Sequence, residues 1–364
     1  MDSIIVGLAI TGALVVLFFQ HPQFGKLPKG EHLERLKRSP NFRRGKFWNQ
    51  IATPALAENT NYWKVLGKLL FQSGSRKRPS NALPTIKTDL KNLRPDENVL
   101  IWFGHSSYFI QTEGLKILVD PVFSGSASPL PFGTRSFKGT DIYTVSDMPQ
   151  LDYLLITHDH WDHLDYRTIK KLGPKVKKVI CGLGTGAHFR AWGYGQGKVD
   201  ELDWYDQRIL KKGIRLHALP ARHFSGRSLK RNPTLWLAFS LSTSVRKIYL
   251  GGDSGYGPHF KAAGDRFGPF DLAILENGQY NEDWRYIHLL PEQFFKAAKD
   301  LRTHQVLPVH NSKFSLARHS WDAPLRAVSH LRQDHHPSLL SPRIGEKINL
   351  DTPTTTHAWW EEVK

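Results

Sequence analysis

A single cysteine, Cys181, stands among 364 residues. That excludes an intramolecular disulfide and any cysteine-based metal cluster, so a metal held by this chain must be held by nitrogen and oxygen. Cys181 follows the apolar run KVI and reads as a small buried residue. Acid is also short: 33 Asp and Glu face 50 Lys and Arg, a formal charge of +17. Anionic partners are therefore expected, with nucleic acid, lipid headgroups and phosphorylated small molecules as the candidates. The modules that read nucleic acid are missing. There is no zinc-finger spacing, no RNP-like aromatic motif and no recognition-helix signature, so no nucleic acid is expected and membrane phosphate moves up. Neither a repeat of solenoid or propeller period nor a long low-complexity tract occurs.

What is present begins with MDSIIVGLAITGALVVLFFQ, uncharged from Ile4 to Phe19. Residues 4–19 would make a helix of about 24 Å, just under a bilayer core. Without a basic n-region or a small-residue cleavage site, an uncleaved anchor is expected over residues 1–22 rather than a removed signal peptide. Residues 20–50 hold eight Lys or Arg against two Glu. That bias predicts a protein anchored in the membrane by a single N-terminal helix, with its catalytic domain cytoplasmic and its basic collar on the membrane surface. Residues 23–95 read as a basic linker and N-terminal arm, 96–350 as the main domain and 351–364 as a C-terminal tail.

From Asn98 the texture changes to short apolar strands punctuated by turns. NVLIWFG, SYFIQT and LKILVDP read as a meander, and DYLLIT as a strand buried on both faces. Further strands are expected at IRLHALP, LWLAFSLS, KIYLGGD, DLAILE and QVLPVH, with helices at DYRTIKKLG, GAHFRAWG and PEQFFKAAKDL. Sheets covered by helices follow, as an α/β protein of either αββα or three-layer form.

The densest chemistry lies in ITHDHWDHLD, an HxHxDH pattern of His158, His160, Asp162 and His163. In extended backbone His158 and His160 point the same way and can share one ion. Asp162 and His163, past a turn, can face a second. Asp165 is placed to cap the following helix, with Ile169 and Leu172 turned inward. A solvated loop would favour Lys, Glu, Ser and Gly, whereas imidazole is a preferred ligand of zinc-like ions. Further ligands should also sit at strand ends, and His223, Asp253 and His310 do. Alone, each is more often an ordinary hydrogen-bonded residue; their shared position raises the odds together.

The strand-HxHxDH loop followed by His, Asp and His in that order resembles the metallo-β-lactamase fold superfamily. WFGHSSYFI, LVDPVFS, ITHDHWDHLD, GGDSGYG and His288 in WRYIHLLPEQ bring it closer to the N-acylphosphatidylethanolamine-hydrolysing phospholipase D-like branch. The resemblance spans residues 41–348 and implies an αββα sandwich. It implies that His158, His160 and His223 hold one metal, Asp162, His163 and His310 the other, and that Asp253 bridges them. It places Asp120 behind a ligand imidazole, His288 beside the substrate and His105 near the site. After His310 this chain reads NSKFSLA where that branch has an aromatic and a glycine, which puts the substrate pocket, not the metal site, in question.

The expected chemistry is attack of a metal-bridging hydroxide on the phosphorus of a phospholipid diester, with Asp162 and His288 in catalytic roles. Two divalent ions are expected, zinc first; manganese and iron fit the same donors. One rival keeps the scaffold and changes the chemistry to a lactonase or amidase. Another is a membrane-anchored binding protein with a structural metal, against which the seven donors argue, because a structural zinc needs four. Acyl chain, headgroup and oligomeric state leave no trace in the sequence.

Overall fold

The computed structural model describes residues 2–71, 76–130, 133–333, 337–352, 354 and 356–363. Its centre is two seven-stranded sheets laid face to face. The first runs in the order Lys347–Asn349, Val99–Trp102, Tyr108–Thr112, Leu115–Val119, Leu151–Ile156, Val176–Gly182, Val199–Leu202. Its opening meander is antiparallel and its last four strands run parallel. The turn Glu113-Gly114 joins two of the meander strands, and both residues have positive φ (51° and 73°), the conformation a two-residue hairpin demands. The second sheet runs Ser338–Leu339, Thr303–Val309, Phe270–Glu276, Lys247–Leu250, Ala238–Ser242, Arg215–Leu219, Gln207–Ile209 and is likewise half parallel, half antiparallel.

Alternation along each strand sends one set of side chains between the sheets and the other outward. Leu100, Ile110, Ile117, Leu155 and Ile180 meet Leu216, Phe239, Ile248, Ile274 and Leu307 in the central layer. Outward residues of the first sheet, such as Leu118, Leu154 and Val179, are covered by Ile169 and Leu172 of helix Tyr166–Leu172 and Phe189 of helix Gly186–Ala191. Those of the second, such as Tyr249, Ala273 and Val306, lie under helices His259–Phe267, Pro291–Asp300 and Ala323–Leu331. The result is αββα. Burial on both faces is why Leu151–Ile156 reads as an almost unbroken apolar run.

The expectation of a membrane-anchored protein with a cytoplasmic catalytic domain is corrected. Among the described residues no helix is long and apolar enough to cross a membrane. Asp2–Gln20 is an α-helix, but its uncharged run of about 24 Å falls short of a core of roughly 30 Å. Its carboxyl end is tied to the domain instead: Phe18 and Phe19 pack on Phe24 at 5.1 and 5.2 Å between ring centroids, and Phe24 packs on Trp161 at 5.2 Å.

Candidate metal centre

Every residue singled out in the sequence for chemistry lies just beyond the carboxyl end of a strand or in the loop that follows one. His105 follows Val99–Trp102, Asp120 follows Leu115–Val119, and the HxHxDH loop follows Leu151–Ile156. From the other sheet come His223, Asp253, His288 and His310. The sheets are joined at this end by backbone hydrogen bonds: His105 N–H donates to Asn311 O (2.9 Å) and His310 N–H to His105 O (3.0 Å). His105, Asp120 and His310 all have positive φ, 52°, 41° and 66°, a rare state for residues with a Cβ that tends to collect at functional sites. Gly252, beside Asp253, is there because a Cβ would lie 2.8 Å from the Thr157 side chain and 2.9 Å from Leu237 O.

The donors converge in two sets. In one, His158 Nε2 and His223 Nε2 lie 2.9 and 3.3 Å from His160 Nδ1. In the other, Asp162 Oδ2 is 3.5 Å from His163 Nε2 and 3.9 Å from His310 Nε2. Asp253 stands between them. Its Oδ2 is 3.8 and 3.7 Å from His158 and His223, while its Oδ1 is 3.3 Å from His163 Nε2 and 3.1 Å from His310 Nδ1. Among the described residues His163 Nε2 and Asp253 Oδ1 are buried without a hydrogen-bond partner. Buried polar atoms of this kind need a ligand, and nitrogen and carboxylate donors so grouped fit divalent metal ions.

Outer atoms fix the rings. His163 Nδ1 donates to Asp120 Oδ2 (2.8 Å), which also accepts from Thr157 Oγ1 (2.6 Å). His223 Nδ1 donates to Ile287 O, His158 Nδ1 contacts Thr157 Oγ1 and His310 Nδ1 contacts Ser106 Oγ. For His163, His223 and His158 this leaves Nε2 facing the centre, the arrangement that orients a ligating imidazole, while His310 Nδ1 also faces Asp253 Oδ1. His105 Nε2 donates to Asp162 Oδ2 at 2.8 Å. Burial drives His158, His223 and His310 well below the usual histidine pKa, leaving them in the neutral, ligating form. For His163 burial acts the same way, but Asp253 and Asp162 outweigh it and raise the pKa.

The alternation that turns His158 and His160 to one side turns Asp159 to the other. Its carboxylate accepts from Gly226 N–H (2.7 Å) and faces His188 Nε2 (3.3 Å). Arg227 ties the same loop down through Asp159 O and Leu164 O, and its guanidinium lies 4.0 Å over Trp161. Asp165 caps helix Tyr166–Leu172 by accepting from Arg167 N–H.

The donors open into a cavity of about 330 Å³. Leu56, Phe224, Trp284, Ile287 and Leu316 give it apolar walls, and His288 lines it too. Behind His288 is a residue that sequence reasoning passed over. Glu276 ends strand Phe270–Glu276, is buried, and has both oxygens 3.2 Å from His288 Nδ1; it also accepts from Ser254 and Leu289 N–H. Burial pushes Glu276 up, to about 7. His288 pays for its own burial, but Glu276 outweighs that and lifts it to about 9. A lone acid closing the apolar run DLAILE was the available signal. Gln279 was also missed; its amide accepts from Leu316 and Ala317 N–H and donates to His310 O, setting the loop that departs from the related pattern.

The fold and donor set define a metal-dependent hydrolase. A family model described as Beta-lactamase superfamily domain matches residues 116–311, and the chain belongs to the metallo-β-lactamase superfamily. It is similar to an uncharacterized protein of Mycobacterium tuberculosis, 32% identical over 328 residues, 89% of this chain and 88% of the relative. It is also similar to N-acyl-phosphatidylethanolamine-hydrolyzing phospholipase D 1 of Caenorhabditis elegans, 29% identical over 66% of this chain and 74% of the relative. Among solved structures, CmlA, a diiron β-hydroxylase from Streptomyces venezuelae, matches with a TM-score of 0.54 at 19% identity over 70% of this chain and 55% of its own. That likeness is one of fold, and a shared fold does not carry chemistry with it.

Proposed function

We propose that this protein is a phosphodiesterase of phospholipase D type, acting on N-acylphosphatidylethanolamine or a related phospholipid. The carrying observation is the placing of two donor sets that share Asp253 at the floor of an apolar-walled cavity, with His288 backed by Glu276 beside them. The Caenorhabditis elegans relative, named for this activity, supports the substrate class.

His158, His160 and His223 would hold one divalent ion, Asp162, His163 and His310 the other, with one oxygen of Asp253 toward each. Imidazole and carboxylate favour zinc. Such a pair, when bound, supplies a water acidic enough to lose its proton near neutral pH and a Lewis acid for a phosphoryl oxygen. The chain does the rest. Asp120 and Thr157 keep the His163 tautomer, and Ile287 O keeps that of His223. The apolar walls seat an acyl chain and exclude bulk water. His288, protonated because Glu276 faces its Nδ1, presents Nε2 to the cavity and gives its proton to the departing alcohol oxygen as the phosphorus–oxygen bond breaks.

The test incubates zinc-loaded protein with N-acylphosphatidylethanolamine, ordinary phospholipids, lactones and amides in ¹⁸O water, with products read by mass. Phosphatidic acid carrying one ¹⁸O together with unlabelled N-acylethanolamine is the expected result. Turnover of lactones or amides alone would replace this reading with the carbonyl one.

A further inference from the structure

Basic side chains near the centre are mostly engaged. Arg227 is spent on backbone carbonyls, Arg222 donates to Tyr256 O and Ala52 O, and Arg318 pairs with Asp283. Arg231 differs. It lines the same cavity as Asp162, Asp253 and His310, and no other Lys or Arg among the described residues does. Its guanidinium lies 4.0 Å over the face of Phe224. That ring in turn packs against His160 at 4.4 Å and His223 at 4.8 Å between centroids. One aromatic ring therefore separates a fixed cation from the imidazoles of the donor cluster.

Among the described residues no carboxylate pairs with Arg231. Burial acts against its charge, and the group that favours it is Tyr62, another residue of the cavity wall. Stacking on Phe224 orients the planar guanidinium, and among the described residues nothing accepts from its N–H edge. An exposed cation on the wall of a cavity floored by the donor cluster, its donors without a partner among the described residues, is suited to an anion bound there.

We propose that Arg231 is the anion-recognition residue of this site: it donates to a phosphate oxygen of the substrate and so favours anionic phosphoesters over neutral lactones and amides of similar size. The proposal rests on the phosphodiesterase reading for its substrate, not for its binding chemistry. Lysine in its place would keep the charge but lose the flat stacking and the paired donors.

Zinc-loaded wild type, Arg231→Ala and Arg231→Lys, matched for metal content and circular dichroism, are titrated with phenylphosphonate by calorimetry. Turnover of bis(4-nitrophenyl) phosphate is followed in parallel. Arg231→Ala is expected to weaken phenylphosphonate binding and raise KM by about tenfold each, the loss of one charged hydrogen bond at a partly exposed site. The kcat stays within about threefold, and Arg231→Lys falls between. The gap between wild type and Arg231→Ala should narrow from about 0.05 to 0.5 M salt, as a screened charge requires and a packing defect does not. Binding by Arg231→Ala within twofold of wild type, or a gap indifferent to salt, overturns the proposal. Wild type that turns over no phosphodiester but loses phosphonate affinity on Arg231→Ala would remove the phosphodiesterase reading and leave the anion site standing.

Discussion

The two donor sets share Asp253 and differ in nearly everything behind them. Asp162, His163 and His310 are backed by polar groups from the first sheet: Asp120 and Thr157 behind His163, His105 behind Asp162, Ser106 behind His310. His158, His160 and His223 have thinner support. His158 Nδ1 shares Thr157 Oγ1 with the first set, the His223 ring rests on a single carbonyl, Ile287 O, and His160 presses on Phe224, which faces the cavity beneath Arg231. A fully connected polar shell makes a rigid, high-affinity holder. A side walled by aromatic and apolar groups is shaped by what it must admit. We read the first set as the rigidly held half of the centre and the second, the substrate half, as the one whose aromatic walls shape the cavity, although Asp162 and His310 of the first set open onto it too.

Asp253→Ala attacks what the halves have in common and should have the largest effect. Metal content by mass spectrometry should fall from two ions to one or none per chain, with turnover lower by on the order of 10³-fold or more. Asp120→Asn acts first on the rigid half. It leaves one acceptor oxygen where the carboxylate offered two, to Thr157 N–H and to His163 Nδ1, so affinity for one ion should fall about 10- to 100-fold in a chelator competition while the other falls less. Equal loss of both ions would erase the distinction. Glu276→Gln acts on the substrate side. With His288 held near 9, its proton is present through neutral pH and lost as pH rises through that value. The variant should lose about tenfold in kcat and move the alkaline limb of its pH–rate profile to lower pH, with metal content intact. An unmoved limb would take the proton-donor role from His288.

The donors themselves were the more legible part of the centre in sequence. HxHxDH puts four of them within six residues, two for each half, and Asp165 announces its cap by position alone, because strand alternation and helix capping are local rules. The groups around them were less so. Glu276, Arg231 and Asn49 come from a strand end, a surface loop and an N-terminal stretch that reads as a basic arm, and no spacing links them. Fold showed the same divide. The long apolar strands could be read, whereas Val176–Gly182, beginning VKK, and the polar edge strand Gln207–Ile209 owe their state to the neighbours they pair with. Helix His259–Phe267 went unread because its apolar positions are few; Phe260 and Ala263 matter only once the second sheet lies beneath them.

Asn49 offers the mildest way to sharpen the comparison. Its Nδ2 donates to His223 O at 2.7 Å, and its Oδ1 accepts from His223 N–H and Trp236 Nε1, both at 3.1 Å. One amide thus holds the backbone of a single residue in the substrate half and reaches no donor of the other. Asn49→Ala should cost about 1–2 kcal/mol in a denaturant melt of the metal-free protein, the loss of net hydrogen bonds partly offset by water. With His223 less firmly aimed, the ion it shares with His158 and His160 should leave first and the other stay. Sequential metal loss in Asn49→Ala, opposite in order to that of Asp120→Asn, would establish the halves as separable; identical order in both variants would mean that Asp253 couples them into a single site.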